Sequence, residues 1–575
     1  MKPIHYLQLT LLALAIFALS CARQTSPTGG PKDSIPPIMT RSLPADQQTN
    51  FDGKQIQAVF SENVQLNNPK DQIIITPGVG KDFQATVKKN TVVITLSNPL
   101  QPNTTYTVNL REAVQDITEK NPAQNVHIAF STGSYIDSLH LLGNVYDLLT
   151  AKEGKDATVG LYEQDTFNIF RHKPAYFTKA DATGAFHIDN IKPGNYRIYA
   201  WLDNNKNLIV DSKSEPYGFE PSILRPQDSV PKISIPLVRL DARPLRLTSA
   251  RPNQTFFNIK TSKSTYQFSI TAEQQTIFAS YGADHENIQV YNTMQLQPND
   301  SLRVLFTAKD SLLQSIDTTL YVKFSERAIK PQPFQQTTDF FSLSALSGLL
   351  NGQIIFNKPV LNINYDSIFY RIDSANIIHI APEDIRFDST RTTATITKQI
   401  DKALLQLKPA NQTSNSRAAA QQRDTPQLRN TQAAGNTTKK QPANNEFFAS
   451  RASFISAELD SSKALAFNLK PSTMETTGVI ILEIRTQKSP LLVQLLSKDR
   501  VIAQLPGKSK TIFQDLVPGD YTVRVVVDTD NNNRWTPGNI FKNQPPEPIY
   551  FYKGEDGKPN ITLKANWERE LLITF

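Results

Sequence analysis

The sequence predicts an all-β chain that is built from several β-sandwich domains in tandem. Apolar and polar residues alternate with a period of two in short segments between Pro, Asn and Gly turns, which is typical of half-buried strands. Pro outnumbers Gly, 37 to 22, and this favours ordered turns between strands over helices or glycine linkers. The length of 575 residues corresponds to about three to five domains.

The N-terminus has the pattern of a secretory signal. Lys2 supplies a positive charge, and Leu7 to Leu19 form an almost uninterrupted apolar run. A short basic start followed by such a run is typical of a signal peptide, which we assign to residues 1–20. Cys21, the only cysteine of the chain, stands where the apolar run stops.

The segment Ala18-Leu19-Ser20-Cys21 resembles the signal of bacterial lipoproteins, in which the cysteine becomes the lipidated first residue. It departs from the usual pattern because Ala18 stands where a large aliphatic residue is common. An ordinary cleaved signal with a chance cysteine is the alternative. The resemblance implies three acyl chains on Cys21, and stable anchoring takes more than one chain. Residues 21–36 are polar and are predicted to be a lipidated tether between the membrane and the first domain.

Residues 37–133 are predicted to be a small β domain. Its strand candidates alternate, as in Thr105–Leu110, where Tyr106, Val108 and Leu110 face one way. This region contains the motifs Val59-Phe60-Ser61-Glu62-Asn63-Val64, Pro102-Asn103-Thr104-Thr105-Tyr106 and Phe130-Ser131-Thr132-Gly133, and it is preceded by Gly29-Gly30-Pro31-Lys32-Asp33. These motifs resemble the SbsA-type Ig-like domain and, more closely, the Ig-like lipoproteins of Bacteroidota. The resemblance implies an envelope location and this architecture.

Residues 138–238 are predicted to be a second β-sandwich. The segments Gly143–Asp147, Thr178–Ile188 and Ile191–Tyr196 resemble the transthyretin-like or carboxypeptidase-regulatory-like sandwich. A type II turn is predicted at Pro193-Gly194-Asn195, with Gly194 at positive φ.

This second unit recurs near the C-terminus. Leu516-Val517-Pro518-Gly519-Asp520-Tyr521 matches Ile191–Tyr196 at an offset of 325 residues, and the following Asp/Asn segments match at the same offset. Residues 476–575 are therefore predicted to be a second transthyretin-like β-sandwich.

The middle of the chain is predicted to contain two more β units, residues 240–332 and residues 338–470. The latter is interpreted as a diverged Ig-like domain, because Gln353–Val360 resembles Gln57–Val64. Its segment 408–446 is rich in Gln, Asn, Thr and Ala and is predicted to be a disordered surface loop. Phe340–Leu350 has a helical pattern. Five sandwiches in a row predict an extended or bent rod.

Calcium is the one ligand for which the sequence offers a motif. Asp203, Asn205, Asn207 and Asp211 fit positions 1, 3, 5 and 9 of a calcium loop, because carboxylates and amides at alternate positions of a curled loop can surround a hard cation. The matching residues of the second copy are Asp528, Asp530 and Asn532. The alternative is that these residues only form turns through local hydrogen bonds. Calcium is thus possible, and no cofactor is required.

Composition and motifs disfavour several function classes. A single cysteine excludes a disulfide or a cysteine-based zinc site within the chain. The net charge is +8, but segment 408–446 alone holds six basic and two acidic residues, and no basic face of a folded domain suggests a nucleic-acid partner. The GxSxG, HExxH, P-loop and GxGxxG motifs are absent from the sequence.

The sequence therefore predicts a non-enzymatic lipoprotein of the outer membrane, facing the periplasm or the cell surface. We expect it to act as a structural or binding module, in adhesion or as an adaptor, with an envelope protein or a glycan as partner. An accessory subunit of an outer-membrane complex or transporter is one alternative. A carbohydrate-active enzyme is another, although no segment is left over for a catalytic domain.

Overall fold

The computed structural model describes residues 33–575 except 125, 164–166, 227–231, 254, 273–275, 298–299, 325–331, 407–444 and 474. The signal peptide and Cys21 lie outside the described residues, as do most of the tether and of the low-complexity segment 408–446. Of that segment Asn445 and Glu446 are described, and Glu446 begins a strand. The fold class is all-β, as predicted, and the sheets group into five consecutive sandwich-like units.

The first unit, residues 39–131, is an antiparallel sandwich with sheet orders β1-β2-β6-β5 and β4-β7-β9 and a small β3-β8 pair. The expected alternation is present on β7, where Tyr106 and Val108 are buried, and Leu110 directly after this strand is buried as well. One short helix, α1, covers Pro69–Gln72. The strands are β1 Met39–Leu43, β2 Gln55–Phe60, β3 Val64–Leu66, β4 Ile74–Thr76, β5 Phe83–Lys88, β6 Thr91–Leu96, β7 Thr105–Asn109, β8 Val114–Asp116 and β9 His127–Ser131.

The second unit, residues 139–237, packs a three-stranded sheet, β13-β10-β16, on a four-stranded sheet, β12-β11-β14-β15. Its first and last strands, β10 and β16, pair in parallel, so the two ends of the unit are neighbours in one sheet. The strands are β10 Leu139–Asp147, β11 Thr158–Glu163, β12 Tyr176–Lys179, β13 Ala185–Ile191, β14 Tyr196–Trp201, β15 Tyr217–Phe219 and β16 Ile233–Leu237.

The third unit, residues 247–322, has the sheet orders β17-β18-β21-β20 and β19-β22-β23. Its core is formed by alternate residues of the central strands, such as Val304, Phe306 and Ala308. The strands are β17 Leu247–Asn253, β18 Phe256–Thr261, β19 Gln267–Thr271, β20 Ala279–Tyr281, β21 Asn287–Tyr291, β22 Leu302–Lys309 and β23 Ser315–Val322.

The fourth unit, residues 336–468, repeats the strand order of the first: β24-β25-β30-β29 corresponds to β1-β2-β6-β5, and β26-β32 corresponds to β3-β8. A second helix, α2, covers Lys402–Gln406, and 3₁₀ turns cover Tyr365–Ser367 and Pro382–Asp384. The strands are β24 Gln336–Leu343, β25 Leu349–Phe356, β26 Val360–Ile363, β27 Ile368–Arg371, β28 Ile377–His379, β29 Ile385–Phe387, β30 Thr393–Gln399, β31 Glu446–Ala449, β32 Phe454–Ser456 and β33 Leu465–Asn468.

The prediction of a helix at Phe340–Leu350 is wrong. This segment is the hairpin between β24 and β25. Two local features favour a turn. The Ser344 hydroxyl oxygen accepts hydrogen bonds from the amides of Leu346 and Ser347, at 3.1 and 2.9 Å, and Gly348 has a φ of +73°. Serine that bonds its own backbone and a glycine in the left-handed region both oppose a helix.

The fifth unit, residues 478–574, has the strand order of the second: β37-β34-β41 packs on β36-β35-β38-β39, and β34 and β41 pair in parallel. In addition, β40 pairs antiparallel with the first residues of β38. A 3₁₀ turn covers Ile540–Lys542. The strands are β34 Gly478–Arg485, β35 Leu491–Ser497, β36 Arg500–Pro506, β37 Lys510–Leu516, β38 Gly519–Val527, β39 Ile549–Phe551, β40 Asn560–Leu563 and β41 Glu568–Thr574.

The chain turns back on itself rather than running as an extended rod. The fifth unit contributes Leu492, Val526 and Ile549 to an apolar cluster that also contains Trp201 and Tyr217 of the second unit. The contact has polar parts as well, since the Arg524 guanidinium donates a 2.8 Å hydrogen bond to the carbonyl of Leu149. Only the extended form of the expected rod is excluded, because the outer face of β35 and β38 is apolar and packs on the equivalent face of the second unit.

Candidate functional site

Two equivalent loops hold the residues for which calcium was considered. The first loop, residues 203–211, follows β14, and the second loop, residues 528–536, follows β38. Their backbones match position by position at the offset of 325. Lys206 and Leu208 have φ values of 58° and 63°, and Asn531 and Asn533 have values of 55° and 61°.

A tyrosine anchors the strand that precedes each loop. The Tyr196 hydroxyl donates a 2.8 Å hydrogen bond to the Lys192 carbonyl, and the Tyr521 hydroxyl donates to the Val517 carbonyl in the same way. Each bond ties the start of the strand to the preceding turn. The loop at the other end of the strand therefore starts from a fixed position.

The predicted type II turn at Pro193-Gly194-Asn195 is wrong. The φ of Gly194 lies outside the left-handed region. A left-handed residue precedes this turn instead. Asn190, within β13, has a φ of 56°, and its counterpart Asp515, within β37, has a φ of 59°. Both lie where the strand pairing shifts register, and asparagine and aspartate tolerate this conformation.

In the first loop the predicted ligands accept hydrogen bonds from the loop's own backbone. One oxygen of Asp203 accepts from the Asn207 amide at 3.0 Å and the other from the Leu208 amide at 3.1 Å. The Asn205 and Asn207 side-chain oxygens also accept from backbone amides two residues further on. Asp211 accepts from the Lys213 amide at 3.1 Å. These contacts are the local hydrogen bonds that are expected if the Asp and Asn residues only form turns.

The second loop repeats these bonds. The two oxygens of Asp528 accept from the amides of Asn532 and Asn533 at 3.0 and 2.9 Å. One Asp530 oxygen accepts from the Asn532 amide at 3.2 Å, and the other accepts from the Asn532 side-chain amide at 2.8 Å. Asp528 is 1% exposed whereas Asp530 is exposed, so the loop has one buried and one solvent-exposed carboxylate two residues apart.

A buried glutamate completes each loop, and sequence reasoning missed both. Glu215 is fully buried, and its two oxygens accept from the Asn204 and Asp211 amides at 2.9 and 2.8 Å. Burial raises the pKa of Glu215, and the hydrogen bonds from loop amides only partly offset this effect. Glu547, 4% exposed, accepts from the Thr536 amide, which corresponds to Asp211, at 2.8 Å. In both copies the glutamate is followed by proline.

Only the second loop brings three carboxylates together within the described ranges. One oxygen each of Asp528, Asp530 and Glu547 lie within 4.8 Å of one another. The first loop has Asn205 where the second has Asp530, which removes one negative charge. Three carboxylates in this space are a donor set that suits a hard cation such as calcium, with the oxygen of Asn532 as a further candidate ligand. Cys21, the predicted lipidation site, lies outside the described residues.

Comparisons with known proteins support the sandwich interpretation in two regions. Residues 33–132 match the family model of the bacterial Ig-like domain. The chain therefore carries a bacterial Ig-like domain at its N-terminal side, as the motifs predicted. Residues 151–214 match a model described as domain II of polysaccharide lyase family 4, a fibronectin-III-like domain. A search of the curated proteins gives no match.

Solved structures show only a loose likeness. The N-terminal part of the bacterial S-layer protein SbsC is 13% identical, with a TM-score of 0.13 over 34% of this chain and 45% of that one. A longer SbsC structure is 9% identical with a TM-score of 0.13, over 64% and 63%. The major pilin subunit BcpA of Bacillus cereus is 11% identical with a TM-score of 0.11, over 76% and 99%. The chain spans less than two thirds of the SbsC chains. These scores are too low to support an argument from similarity.

Among the described residues, no helix is both long enough and apolar enough to cross a bilayer.

Proposed function

We propose that the protein is a lipoprotein of the bacterial outer membrane that serves as a structural or binding module, without enzymatic activity. The observation that carries the proposal is the position of the only cysteine, Cys21, directly after an apolar signal-like run and ahead of an Ig-like domain. Lipid chains on Cys21 would hold the protein at the membrane, and the polar residues 21–36 would space the first unit from it.

The arrangement of the units supports a binding role. Repeated sandwiches leave sheet edges and clefts between units as surfaces for partners. The fifth unit packs on the second, so these surfaces have fixed relative positions. An envelope protein or a glycan is the partner we propose, and the envelope location leaves no role for nucleic acid. An accessory role in an outer-membrane complex is compatible with the same features.

A second candidate is a role in carbohydrate handling. It is favoured by the match of residues 151–214 to a domain named for a polysaccharide lyase family. Within this candidate, glycan binding is favoured over catalysis on glycans, since the described ranges consist of sandwich units.

Calcium is proposed as a structural ligand of the second loop. Asp528, Asp530 and Glu547 would hold the ion, and the first loop would keep its turn by hydrogen bonds alone. The ion would stiffen a loop that adjoins the third unit, since the Asn539 side chain, three residues after this loop, donates a 2.7 Å hydrogen bond to the Leu312 carbonyl.

Fractionation and protease shaving of intact cells test the proposed location. The wild-type protein should sediment with outer membranes, and Cys21→Ser should be released into the soluble fraction. Loss of the full-length band on shaving would mean surface exposure, and protection with an intact periplasmic control would mean a periplasmic orientation. Wild-type protein in the soluble fraction, or membrane retention of Cys21→Ser, would contradict the anchor.

A further inference from the structure

A cleft of about 530 Å³ lies between the third and fourth units. This volume falls in the range of about 300–1,000 Å³ that is usual for small-ligand sites, and boundaries between domains are a common place for such sites. The third unit lines it with residues of β18, β20 and β21, and the fourth unit with residues before β26 and β30. The side chains that matter most for its chemistry are Phe256, Tyr281, Gln289, Tyr291, Lys358 and Glu458.

Direct contacts hold the two walls of the cleft together. The Thr255 hydroxyl donates a 2.5 Å hydrogen bond to one oxygen of Glu458. His285 Nε2 lies 2.8 Å from the Ser389 hydroxyl oxygen, and the Tyr281 amide donates to the Ser389 carbonyl at 3.3 Å. Since these bonds join residues of two different units, the cleft is preformed in the folded chain and a ligand would not need to order it.

The third-unit wall combines aromatic rings with a free amide. The Tyr291 hydroxyl donates a 2.8 Å hydrogen bond to Gln289 Oε1. Burial raises the pKa of Tyr291, so the phenol stays protonated and keeps this donor. Gln289 Nε2 donates to no group among the described residues, which leaves two N–H donors for a ligand. Phe256, next to Tyr291 with a 5.7 Å ring separation, is only partly buried and offers an apolar surface.

The fourth-unit wall carries one buried cation that is paired with two carboxylates, which leaves a net negative charge at this wall. The Lys358 ammonium lies 2.6 Å from a Glu458 oxygen and 2.8 Å from an Asp460 oxygen. The lysine is 6% exposed, so its charge is committed to these two carboxylates rather than to a ligand. An anionic ligand such as a phosphate would therefore find no unpaired cation among the side chains named here, and a ligand without charge fits the lining better.

We propose that this cleft binds a short neutral glycan, an inference that rests on the proposed binding role. A sugar ring presents an apolar C–H face and a rim of hydroxyls. The first suits the exposed part of Phe256, and the second suits the Gln289 amide and the hydroxyls of Thr390 and Thr392, which also line the cleft.

Calorimetric titration of the purified full-length mature chain tests the proposal. The probes are the neutral hexasaccharides cellohexaose, xylohexaose, mannohexaose and chitohexaose, with hexagalacturonate as the charged comparison. At least one neutral probe should bind, more tightly than hexagalacturonate. Phe256→Ala and Gln289→Leu should each weaken that binding about tenfold, through loss of ring contact and of the amide donors.

Phe541→Ala is the matched control, since it removes an exposed phenylalanine from a different cleft, between the second and fifth units. The Phe541→Ala variant should bind the neutral probe with the affinity of the wild type. Gln289→Leu nearly preserves side-chain volume, so it reports on the site even if Phe256→Ala lowers stability. Absence of binding to all four neutral probes, or equal affinity in all variants, would overturn the proposal. Neither outcome depends on whether Cys21 is lipidated, so failure of the anchor and failure of the cleft are separable.

Discussion

Replacing Asp528 with asparagine separates the two interpretations of the second loop. Asp528 accepts two backbone amides, and the asparagine keeps one acceptor oxygen but places an N–H₂ group against the other amide. Leaving one buried amide without a partner costs about 1–3 kcal/mol of unfolding free energy. Asp203→Asn makes the same change in the first loop, where the three-carboxylate group is missing, and is the matched control.

Calcium adds a second effect that only one variant should lose. A ligand at about 100 times its dissociation constant stabilises the folded state by about 2.7 kcal/mol. We therefore expect the midpoint of thermal unfolding of the wild type to rise by several degrees between EGTA and 10 mM CaCl₂. Asp203→Asn should keep this rise despite its lower starting stability. Asp528→Asn should show little or none, because one of three carboxylates is gone.

Differential scanning calorimetry with and without calcium measures both effects, and titration calorimetry gives the affinity. A wild type that responds to neither calcium nor magnesium would refute the metal interpretation and leave Asp528 as a turn residue. An equal response to both ions would refute the assignment of calcium. An unchanged calcium response in Asp528→Asn would refute the assignment of the ion to this loop. In either case, the loss of about 1–3 kcal/mol in both variants would still be expected from the hydrogen bonds.

Three further predictions concern stability. Gly218→Ala should destabilise the second unit by about 1–3 kcal/mol in urea unfolding, because the new Cβ would overlap the Pro236 carbonyl oxygen. Leu492→Ala should cost about 3 kcal/mol, and a loss below about 0.5 kcal/mol would contradict its place in the apolar contact between the second and fifth units. Burial alone would raise the pKa of Asp71, but hydrogen bonds from lysines, above all Lys206, outweigh it and lower the pKa. The lowered pKa stabilises the fold above the unfolded value near pH 4 and this contribution disappears as pH falls through the folded value, so Asp71→Asn should flatten the decline of the unfolding midpoint in acid.

The repeat could be predicted because its signal is local. The residues of the first and second loops stand at a constant offset, and the structure gives them the same backbone angles and hydrogen bonds. The glutamates escaped the same comparison because their spacing differs: Glu215 follows Asp203 by 12 residues, and Glu547 follows Asp528 by 19. The shared Glu-Pro pair was the available signal, and finding it required a gap in the alignment of the two copies.

The sequence predictions that proved wrong were based on local spacing, which does not show the contacts that a segment makes in the folded chain. Phe340–Leu350 has helical spacing, yet its Ser344 hydroxyl and Gly348 make a turn, and strand pairing on both sides decides the outcome. Gly194 was expected at positive φ, but its φ lies outside the left-handed region. The packing of Val526 against the second unit was also beyond sequence patterns, since alternation shows that a face is apolar and not what covers it.

Mass spectrometry of the N-terminal peptide of the protein, purified from the membranes of cells that produce it, tests the central claim most directly. The account predicts a peptide that begins at Cys21 and carries the added mass of acyl chains, and none of the sequence from residues 1–20. A peptide that begins at another residue, or at an unmodified Cys21, would contradict the assignment of this protein as a lipoprotein.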